Sequence, residues 1–547
     1  MKQVRIANRE VPMQTHGARH TAFILALATL IVTLPAPAPV RAATITLDQS
    51  ATFQTIEGFG TSAFDPQDDD PAFIDMMVND LGMTALRLYI DEDFEINNDN
   101  ADPNSLNLSG CNLNGSDLVG HMRNLRYLKD AGLDKLMLTV FSPPAWMKTN
   151  GSTIGGKLRT DMYDEFAEYY TAFIKYVKQE TGIDVYALSP ENEPAWEQWY
   201  WSCVYTPEQM RDITKVLGRR LDAEGLSTEI AAAEDLISNN WGAYFGYTNT
   251  DPEARDYLHS IAVHAYEDGV APSSGSATRW GRLADAGSLS GKSTWMTETS
   301  GYSINNNWLD QDIEFGKGAF TYACAIYSAL RYANLSLWLW LAPNNPSWGA
   351  LQEGMCHHKN KTNKYYVSKQ YYRYIRPGAV RIGAESDDAS VYALAFEHAG
   401  EQTLTVVLLN TSSSTVSATV TGVNLPQLTI YRSSETEQCA NVGTSDGTVA
   451  LPPKSIATLY GEGHTVGVRP AGEHRAAFTG APPARGMSVR AYGLDGRLIG
   501  AATVSSIHDY ERLLVGTGAT QAQSVRVYSV TAAEGNVVSR GAYVPVR

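Results

Sequence analysis

Short apolar runs alternate with amphipathic stretches along most of the chain. The amphipathic stretches have helical spacing; in the segment 161–180, aromatic residues such as Tyr163 and Phe166 recur every three or four positions. Apolar strands that alternate with helices pair in parallel, and eight of them predict an α/β fold, a closed (β/α)8 TIM barrel, over residues 44–376. The eight strand-like runs are 53–60, 84–90, 135–142, 185–191, 228–235, 260–266, 293–298 and 335–342.

An open, doubly wound sheet is the alternative arrangement for such a chain. That fold usually carries a glycine-rich phosphate-binding turn, G-x-G-x-x-G, directly after its first strand. Here the corresponding residues, 58–64, read GFGTSAF and lack the third glycine. We therefore favour the closed barrel.

The pattern changes after residue 376, where short strands follow one another without helices. Turn-rich joints, such as NTSSST at 410–415, separate these strands, which is typical of a β-sandwich, here over residues 377–461. The early segment ATITLD (43–48) is also strand-like and is a candidate to pair into this sandwich. The strand-like runs are 390–397, 403–410, 417–423, 428–434 and 455–461.

The last region, 462–547, differs in charge from the rest. From residue 463 it contains nine arginines, no lysine and five acidic residues, and two of its segments share a V-R-x-Y core. We expect a small β-rich extension built from two hairpins. It is either only a structural module or a means of attachment to a cell surface or an acidic glycan.

The first 43 residues have the pattern of a secretory signal peptide. Four basic residues precede the apolar run 22–34, and small residues follow it, with cleavage expected near Ala42 or Ala43. Loss of residues 1–42 removes five basic and one acidic residue and changes the formal charge from −16 to −20. We expect a secreted or cell-surface protein without a membrane span, and one that repels nucleic acid and anionic membranes.

The five cysteines lie far apart and never form a C-x-x-C pair. This spacing argues against a zinc or thioredoxin-type site, and an odd number leaves at least one thiol unpaired in an exported protein. The pairing of the others stays open. We expect no cofactor and no metal, and a monomer. The cysteines are Cys111, Cys203, Cys324, Cys356 and Cys439.

Polar residues that end the apolar runs are the candidates for chemistry, because the active site of a (β/α)8 barrel lies at the C-terminal ends of its strands. Two of them are glutamates: Glu193 follows the fourth run and Glu298 ends the seventh, so both face one mouth. Paired carboxylates suit glycoside cleavage, in which a neutral acid protonates the leaving oxygen and a carboxylate attacks the anomeric carbon. The full set is Arg87, Trp146, Asn192, Glu193, His264, Tyr266, Glu298, Trp338 and Trp340.

Six motifs in this order resemble glycoside hydrolase family 30, over about residues 50–461. The resemblance implies a retaining (β/α)8 enzyme with Glu193 of N-E-P as acid/base and Glu298 of W-M-T-E as nucleophile. Glu191 is as acidic as Glu193, but only Glu193 follows the asparagine. The motifs are EGFGTSAFD, LRLYI, FSPPAWMKTNG, SPENEPAW, WMTETSGY and YYVSKQYYRYIRPGAVRI.

The same resemblance implies roles for three neighbours: Asn192 would bond the sugar 2-hydroxyl, Arg87 would keep the nucleophile ionised, and Trp146 would offer an apolar ring face. Arg87 could instead form a structural ion pair.

Three further residues carry two interpretations each. His264 either lines the sugar subsite with Tyr266 or is a core histidine. Trp338 and Trp340 share strand parity, so both are expected to face inward, where they either stack on sugar or fill the barrel.

The substrate is the least constrained part of the prediction. In the glucuronoxylan-specific branch of family 30, an arginine after strand eight pairs with the substrate's uronate, but residues 342–361 contain no arginine. Lys359, Lys361 or His357 are candidates to replace it in part. Tryptophans 196, 199 and 201 are candidate stacking platforms along a cleft and favour a polymer over a lipid glycoside.

We therefore expect a secreted retaining endo-β-glycanase that degrades plant cell-wall polysaccharide, with xylan as the leading substrate. The alternatives are a β-1,6-glucanase or galactanase, an exo-β-glycosidase including a glucosylceramidase-like one, and a carbohydrate-binding protein without catalysis.

Overall fold

The computed structural model describes residues 41–68, 70–105, 107–301, 306–310, 317–345 and 354–465 in full. It also describes the backbone of four strands between residues 487 and 543. Nearly all of the predicted signal peptide, up to residue 40, lies outside the described residues. Among the helices of the described part, none has the length and apolar character needed to cross a membrane.

Eight parallel strands form the closed barrel that the hydrophobic pattern predicts, so the predicted fold class is confirmed. Strand β1 (Arg41–Thr55) precedes the barrel and belongs to a different sheet. The barrel strands are β2 (Gly58–Ser62), β3 (Ala85–Tyr89), β4 (Lys135–Thr139), β5 (Ala187–Ser189), β6 (Glu229–Leu236), β7 (Leu258–His264), β8 (Ser293–Glu298) and β9 (Leu337–Leu341).

The barrel interior contains one large aromatic ring among mostly smaller apolar side chains. Trp295 fills the interior, and its neighbours there are mostly alanines and leucines of other strands, such as Ala262 and Leu339. Gly60 shows why β2 approaches β3 so closely. A Cβ atom at this position would lie 1.7 Å from the carbonyl oxygen of Ala85, so only glycine fits.

The helices cover the barrel, and their ends follow local sequence signals. The segment predicted as helical at 161–180 is α3, which ends at Gly182 in the left-handed conformation. Helix α4 begins with a capping box between Thr206 and Gln209. The helices are α1 (Pro71–Asp75), α2 (Ser116–Ala131), α3 (Tyr163–Thr181), α4 (Pro207–Ala223), α5 (Trp241–Thr250), α6 (Pro252–Tyr257), α7 (Ser276–Ser290), α8 (Ala319–Tyr332) and α9 (Asn363–Tyr372).

A nine-stranded sheet forms the second layer of the molecule, in the order β17-β16-β19-β14-β13-β12-β1-β15-β18. In it, β1 pairs in parallel with β15 and antiparallel with β12, so the segment before the barrel joins the sandwich. After a short hairpin of β10 (Cys356–His357) and β11 (Asn360–Lys361), the strands are β12 (Val380–Ser386), β13 (Val391–His398), β14 (Thr403–Asn410), β15 (Val416–Thr421), β16 (Leu428–Ser434), β17 (Glu437–Ser445), β18 (Thr448–Leu451) and β19 (Ser455–Glu462).

Strand β14 joins the two layers because it is buried on both faces. Leu404 and Val406 pack in the core of the sandwich with Ile45 of β1, whereas Val407 and Leu409 pack in the large core shared with the barrel. This double burial accounts for the run TLTVVLLN, which lacks the polar alternation of a half-exposed strand. The sandwich is therefore fixed against the barrel.

Four further strands form an antiparallel sheet of their own, in the order β21-β20-β22-β23. The first V-R-x-Y segment lies in β20, and β22 begins at the arginine of the second. These two strands pair with each other, β20 also pairs with β21, and β22 also pairs with β23. A β-rich C-terminal extension with two hairpins was expected; its role in attachment stays a prediction. The strands are β20 (Met487–Tyr492), β21 (Leu498–Val504), β22 (Arg526–Thr531) and β23 (Val537–Tyr543).

Candidate active site

Arg87 lies at the centre of the barrel mouth and is buried on all sides. It follows Ala85 by two positions on β3, and Ala85 faces the barrel interior, so strand alternation points Arg87 inward. Its Nη1 donates to Glu298 Oε2 at 2.6 Å, and its Nη2 donates to Asn192 Oδ1 at 2.7 Å. Burial opposes the charge, but Glu234 and Glu298 outweigh it and raise the pKa of Arg87.

Glu298 ends β8 and is held through both carboxylate oxygens. Oε2 accepts from Arg87, and Oε1 accepts from the hydroxyl of Tyr266. The Nδ1 atom of His264 is 3.9 Å from Oε1. A guanidinium and a phenol that both donate to one carboxylate form an arrangement suited to an ionised nucleophile.

Glu193 follows β5 and is held in a backbone conformation that few residues other than glycine adopt, with φ of +49°. Its backbone N–H donates to the carbonyl of Glu234 at 3.1 Å. On the side chain, Oε1 is 3.0 Å from His264 Nδ1, and Oε2 accepts from Gln198 Nε2 at 3.1 Å. These contacts aim the carboxyl group across the mouth toward Glu298.

The two glutamates are close enough for a retaining mechanism. One carboxylate oxygen from each and a ring nitrogen of His264 all lie within 4.8 Å of one another. Retaining glycosidases hold their two carboxyl groups about 5–5.5 Å apart, and inverting ones about 6.5–9.5 Å. The separation therefore fits the shorter, retaining spacing and not the longer, inverting one.

The same three residues are the described group that could offer ligand atoms to a metal ion. Burial works against protonation of His264, but the charges of Glu298, Glu193 and Glu234 outweigh it and raise its pKa to about 10. A protonated imidazole has no free lone pair for a metal, and the guanidinium of Arg87 already supplies a cation to Glu298. The site is thus better suited to the protonated side chains of Arg87 and His264 than to a metal ion.

Glu234 is a third buried carboxylate that the sequence analysis did not single out. It lies 2.8 Å from Arg87 Nε, accepts from Thr139 Oγ1 at 2.8 Å, and lies 3.7 Å from His264 Nε2. Burial opposes its charge, but Arg87 and His264 lower the pKa of Glu234 well below its usual range. Glu234 therefore carries a fixed negative charge that orients the two cations of the site, Arg87 and His264.

The pairing between β6 and β7 explains why Glu234 escaped prediction. Ala231 faces the barrel interior, so strict alternation would point Glu234 outward, toward the helices. A register shift between Ala233 and Asp235, with φ of +50° at Glu234, reverses this direction. In the sequence, the only signal for Glu234 as a site residue is that the run EIAAAEDL has acidic residues near its end.

Asn192, Tyr266 and His264 lie in the cluster, as their predicted binding roles require. Because Arg87 occupies the amide oxygen of Asn192, the NH₂ group is the end left to donate to a sugar hydroxyl. Trp146 lies on a short 3-10 helix after β4, half-buried, and its Nε1 donates to the carbonyl of Glu95 at 3.1 Å. Its contact with sugar stays a prediction.

The expectation that Trp338 and Trp340 face into the site is wrong. On β9, Leu337 and Leu339 pack inside the barrel, so alternation puts both tryptophans on the opposite, helix-facing side. Both are fully buried, and the ring of Trp340 lies 4.7 Å from that of Tyr322 on α8. A ring enclosed in this layer cannot stack on a sugar, so both residues are structural.

Glu191 differs from Glu193 in its surroundings. It is completely buried, and burial raises its pKa well above the usual range, although Lys148 is close enough to oppose this. Lys148 Nζ donates to Ser142 Oγ and to the carbonyl of Ser202, which ties the loop after β4 to the loop after β5. Glu191 therefore has a structural role beneath the site.

A pocket of about 350 Å³ opens beside Glu193. Trp196 and Tyr200 of the loop after β5 form one wall, and His264 and Tyr266 form another. Trp199 of the same loop is 85% exposed, and the ring of Trp201 lies 6.3 Å from that of Tyr89 at the end of β3. The pocket is lined by Glu193, Trp196, Gln198, Tyr200, Leu236, Ile237, Ser238, His264, Tyr266 and Glu267.

A larger groove, of about 590 Å³, lies elsewhere, between α8 and the sandwich. Its lining includes Tyr327, Tyr392 and Lys454 but none of the clustered carboxylates. Size alone does not mark the reactive site, and the smaller pocket is the one that adjoins paired carboxylates.

The lysines considered as partners for a uronate are engaged with acidic residues. Lys361 pairs with Asp80 at 2.7 Å, and Lys359 lies 3.9 Å from Asp68 and 3.8 Å from Asp70. His357 is exposed on β10. All five cysteines are free thiols.

Comparisons with known proteins match this architecture. The model described as O-Glycosyl hydrolase family 30 matches residues 106–269, and the one for the Glycosyl hydrolase family 30 beta sandwich domain matches residues 378–459. The chain belongs to glycoside hydrolase family 30. The first match contains Glu193 and His264, and the second contains most of the sandwich, so the family 30 chain has both parts in the expected order.

The relatives of the chain differ in their named activities. The chain is 27% identical to Putative glucosylceramidase 4 of Caenorhabditis elegans over 297 residues, 50% of this chain and 56% of that protein. It is 24% identical to Endo-1,6-beta-D-glucanase neg1 of Aspergillus fumigatus over 375 residues, 60% of this chain and 68% of that protein. The chain thus spans just over half the length of the first of these relatives.

A solved structure shows the same fold. The glycoside hydrolase family 30 subfamily 8 xylanase Xyn30A from Clostridium acetobutylicum superposes with a TM-score of 0.60 at 24% identity. The similarity covers 77% of this chain and 99% of that one. At this identity the likeness concerns the arrangement of barrel and sandwich.

Proposed function

We propose that this protein hydrolyses β-glycosidic bonds with retention of configuration, with Glu298 as nucleophile and Glu193 as acid/base. The observation that carries the proposal is the pair of carboxylates with oxygens within 4.8 Å at one barrel mouth. The two residues differ in their partners: Arg87 and Tyr266 donate to Glu298, whereas His264 and Gln198 contact Glu193.

In the first step, a carboxylate oxygen of Glu298 forms a bond to the anomeric carbon. At the same time Glu193 gives its proton to the glycosidic oxygen, and the bond between that oxygen and the anomeric carbon breaks. The products are a glycosyl-enzyme ester and the free leaving group. The NH₂ group of Asn192 donates to the sugar 2-hydroxyl, a contact that strengthens as positive charge develops on the sugar ring.

In the second step, water enters from the side that the leaving group has left. Glu193, now a carboxylate, takes a proton from this water while the water oxygen bonds to the anomeric carbon and releases Glu298. Two inversions restore the original configuration. His264 lies within hydrogen-bond distance of Glu193 and stabilises the negative charge that Glu193 carries between the two steps.

For the substrate, we propose an uncharged polysaccharide of the plant cell wall, with xylan as the first candidate and internal cleavage. Exposed aromatic rings near Glu193 support a polymer, because sugar rings stack on indoles over several residues. The absence of arginine from residues 342–361 argues against dependence on a uronate. Export is part of the same proposal and rests on the signal-like segment 1–43.

A β-1,6-glucan is the second candidate. The Aspergillus fumigatus relative is named an endo-1,6-β-D-glucanase and matches 68% of its own length. A panel of xylan, glucuronoxylan, arabinoxylan, β-1,6-glucan and β-1,6-galactan, with product masses, separates the candidates and distinguishes internal from terminal cleavage.

The mechanism has its own test. Proton NMR of the first products should show the β anomer, and Glu298→Ala should abolish hydrolysis. Glu193→Ala should lose activity mainly on poor leaving groups and regain part of it with azide, which attacks the glycosyl-enzyme. Glu229→Gln, on the barrel end of β6 away from the mouth, is the matched control. Initial formation of the α anomer, or full activity of Glu298→Ala, would contradict the mechanism.

A further inference from the structure

The pocket beside Glu193 has a carboxylate at its open end. Glu267 directly follows Tyr266, lines the pocket together with Trp196 and Gln198, and is exposed to solvent. The floor is formed by Glu193 and His264, which hydrogen-bond to each other. A ligand in this pocket would therefore have one acidic group beneath it and a second at its outer edge.

The occupant of the pocket follows from the position of Glu193, and this step rests on the proposed function. An acid that protonates the glycosidic oxygen must touch the leaving group, whereas Glu298 touches the anomeric carbon on the other side of the broken bond. Glu193 lines the pocket and Glu298 does not. The pocket therefore holds the first sugar, or other group, beyond the cleaved bond.

Positive groups that could neutralise an anion are scarce here. The described residues that line the pocket include no lysine or arginine. His264 faces Glu193, Glu298 and Glu234, which already offset its charge. Arg279 is near enough to interact with Glu267, but its Nη2 and Nε both bind Asp268.

The charge of the whole chain acts in the same direction. Its formal net charge is −16, and a negative surface potential lowers the local concentration of anions near a cleft. An anionic leaving group would thus meet repulsion both during approach and in the pocket.

We propose that Glu267 makes this pocket selective for uncharged leaving groups, so that the substrate carries a neutral sugar directly beyond the cleaved bond. A uronate or another anionic substituent at that position is disfavoured. For like charges about 5–10 Å apart in a partly solvated site, Coulomb repulsion corresponds to a change in kcat/KM of about threefold to tenfold at low ionic strength, and salt should reduce the effect.

A pair of synthetic substrates measures this selectivity directly. The 3-carboxyphenyl and 3-carbamoylphenyl β-glycosides of one glycone, xylobiose or glucose, have similar leaving groups but differ by one negative charge. The quantity to compare is the ratio of kcat/KM for the neutral substrate to that for the anionic one, at 20 mM and 500 mM NaCl. The variants are Glu267→Gln, Glu267→Lys and, as a control, Glu435→Gln at an exposed turn of the sandwich.

We expect the ratio to fall about threefold to tenfold in Glu267→Gln and further in Glu267→Lys, and to stay unchanged in Glu435→Gln. The difference in ratio between the wild type and Glu267→Gln should shrink at high salt. An equal ratio in the wild type and Glu267→Gln, with the neutral substrate cleaved, would overturn this inference and leave the proposed function intact. Failure of the wild type to cleave any neutral glycoside of either glycone would refute the proposed function, and the inference with it.

Discussion

Replacing Glu234 by glutamine removes one negative charge from the buried network and keeps the size of the side chain. Glu234 does not line the pocket, yet it lies 2.8 Å from Arg87 Nε and 3.7 Å from His264 Nε2. The substitution therefore tests whether a residue that acts only through others contributes to the reaction.

The expected loss of stability follows from the burial of the pair. Removing one partner from a buried ion pair costs about 3–5 kcal/mol, and Glu298 continues to pair with Arg87, so we expect the lower end of that range. For a chain of this size, 1 kcal/mol lowers the melting temperature by about 1–2 °C. Glu234→Gln should therefore melt about 3–6 °C below the wild type.

The kinetic effect should appear in kcat. Without Glu234, Arg87 loses a fixed partner and orients Glu298 less well, so kcat should fall about tenfold or more while KM changes little. His264 loses one of the carboxylates that raise its pKa, so the midpoint of its own titration, followed by NMR, should move to lower pH.

Two variants separate this role from general damage. Thr139→Val removes one hydrogen bond to Glu234 but keeps the charge, and it should lower kcat less than threefold. Glu229→Gln lies on the same strand, half-exposed at the other end, and should match the wild type. A kcat of Glu234→Gln within twofold of the wild type, with an unmoved titration of His264, would refute the reasoning.

Three other changes test separate parts of the structure. Tyr266→Phe removes the hydroxyl that donates to Glu298 and should lower kcat/KM about 10- to 100-fold, with a fall in melting temperature of only about 1–6 °C; an effect on kcat/KM below threefold would contradict the assignment. Burial and nearby Asp99, Glu165 and Glu95 raise the pKa of Glu168 to about 8. Between about pH 4.5 and pH 8 the folded state therefore keeps a proton that the unfolded state has released. The stability of the fold accordingly falls as the pH rises through this range. Glu168→Gln should accordingly raise the melting temperature more at pH 8 than at pH 5, as calorimetry can show. Because all five cysteines are free, dithiothreitol should leave the melting temperature unchanged and alkylation of the unfolded, unreduced protein should modify five thiols.

Strand periodicity was sufficient to predict the barrel and the position of its mouth. Glu193 follows the fourth run and Glu298 ends the seventh, both runs are short and strand-like, and parallel pairing brings all such ends to one side. The helical spacing at 161–180 likewise corresponds to a single amphipathic helix. These features depend on local sequence and on rules of chain topology, so a single sequence carries them.

Features that depend on strand register were beyond the sequence. Trp338 and Trp340 share one face of β9, as predicted, but only the packing of Leu337 and Leu339 shows that this face is the outer one. Glu234 points inward because of a one-residue irregularity in β6, which alternation cannot reveal. Side-chain contacts over long separations in the chain, such as that of His264 with Glu193, depend on how strands far apart in the sequence meet at the barrel mouth.

The most direct test of the account is to trap the covalent intermediate. A 2-deoxy-2-fluoro-β-glycoside with a good leaving group, of xylobiose or glucose, slows release of the glycosyl group more than its formation, so the ester accumulates. Mass spectrometry of the digested protein should find the 2-fluoroglycosyl group on the peptide that contains Glu298 and locate it on that residue. Label on Glu193 or on another residue, or turnover without any label, would contradict the assignment of Glu298 as the nucleophile.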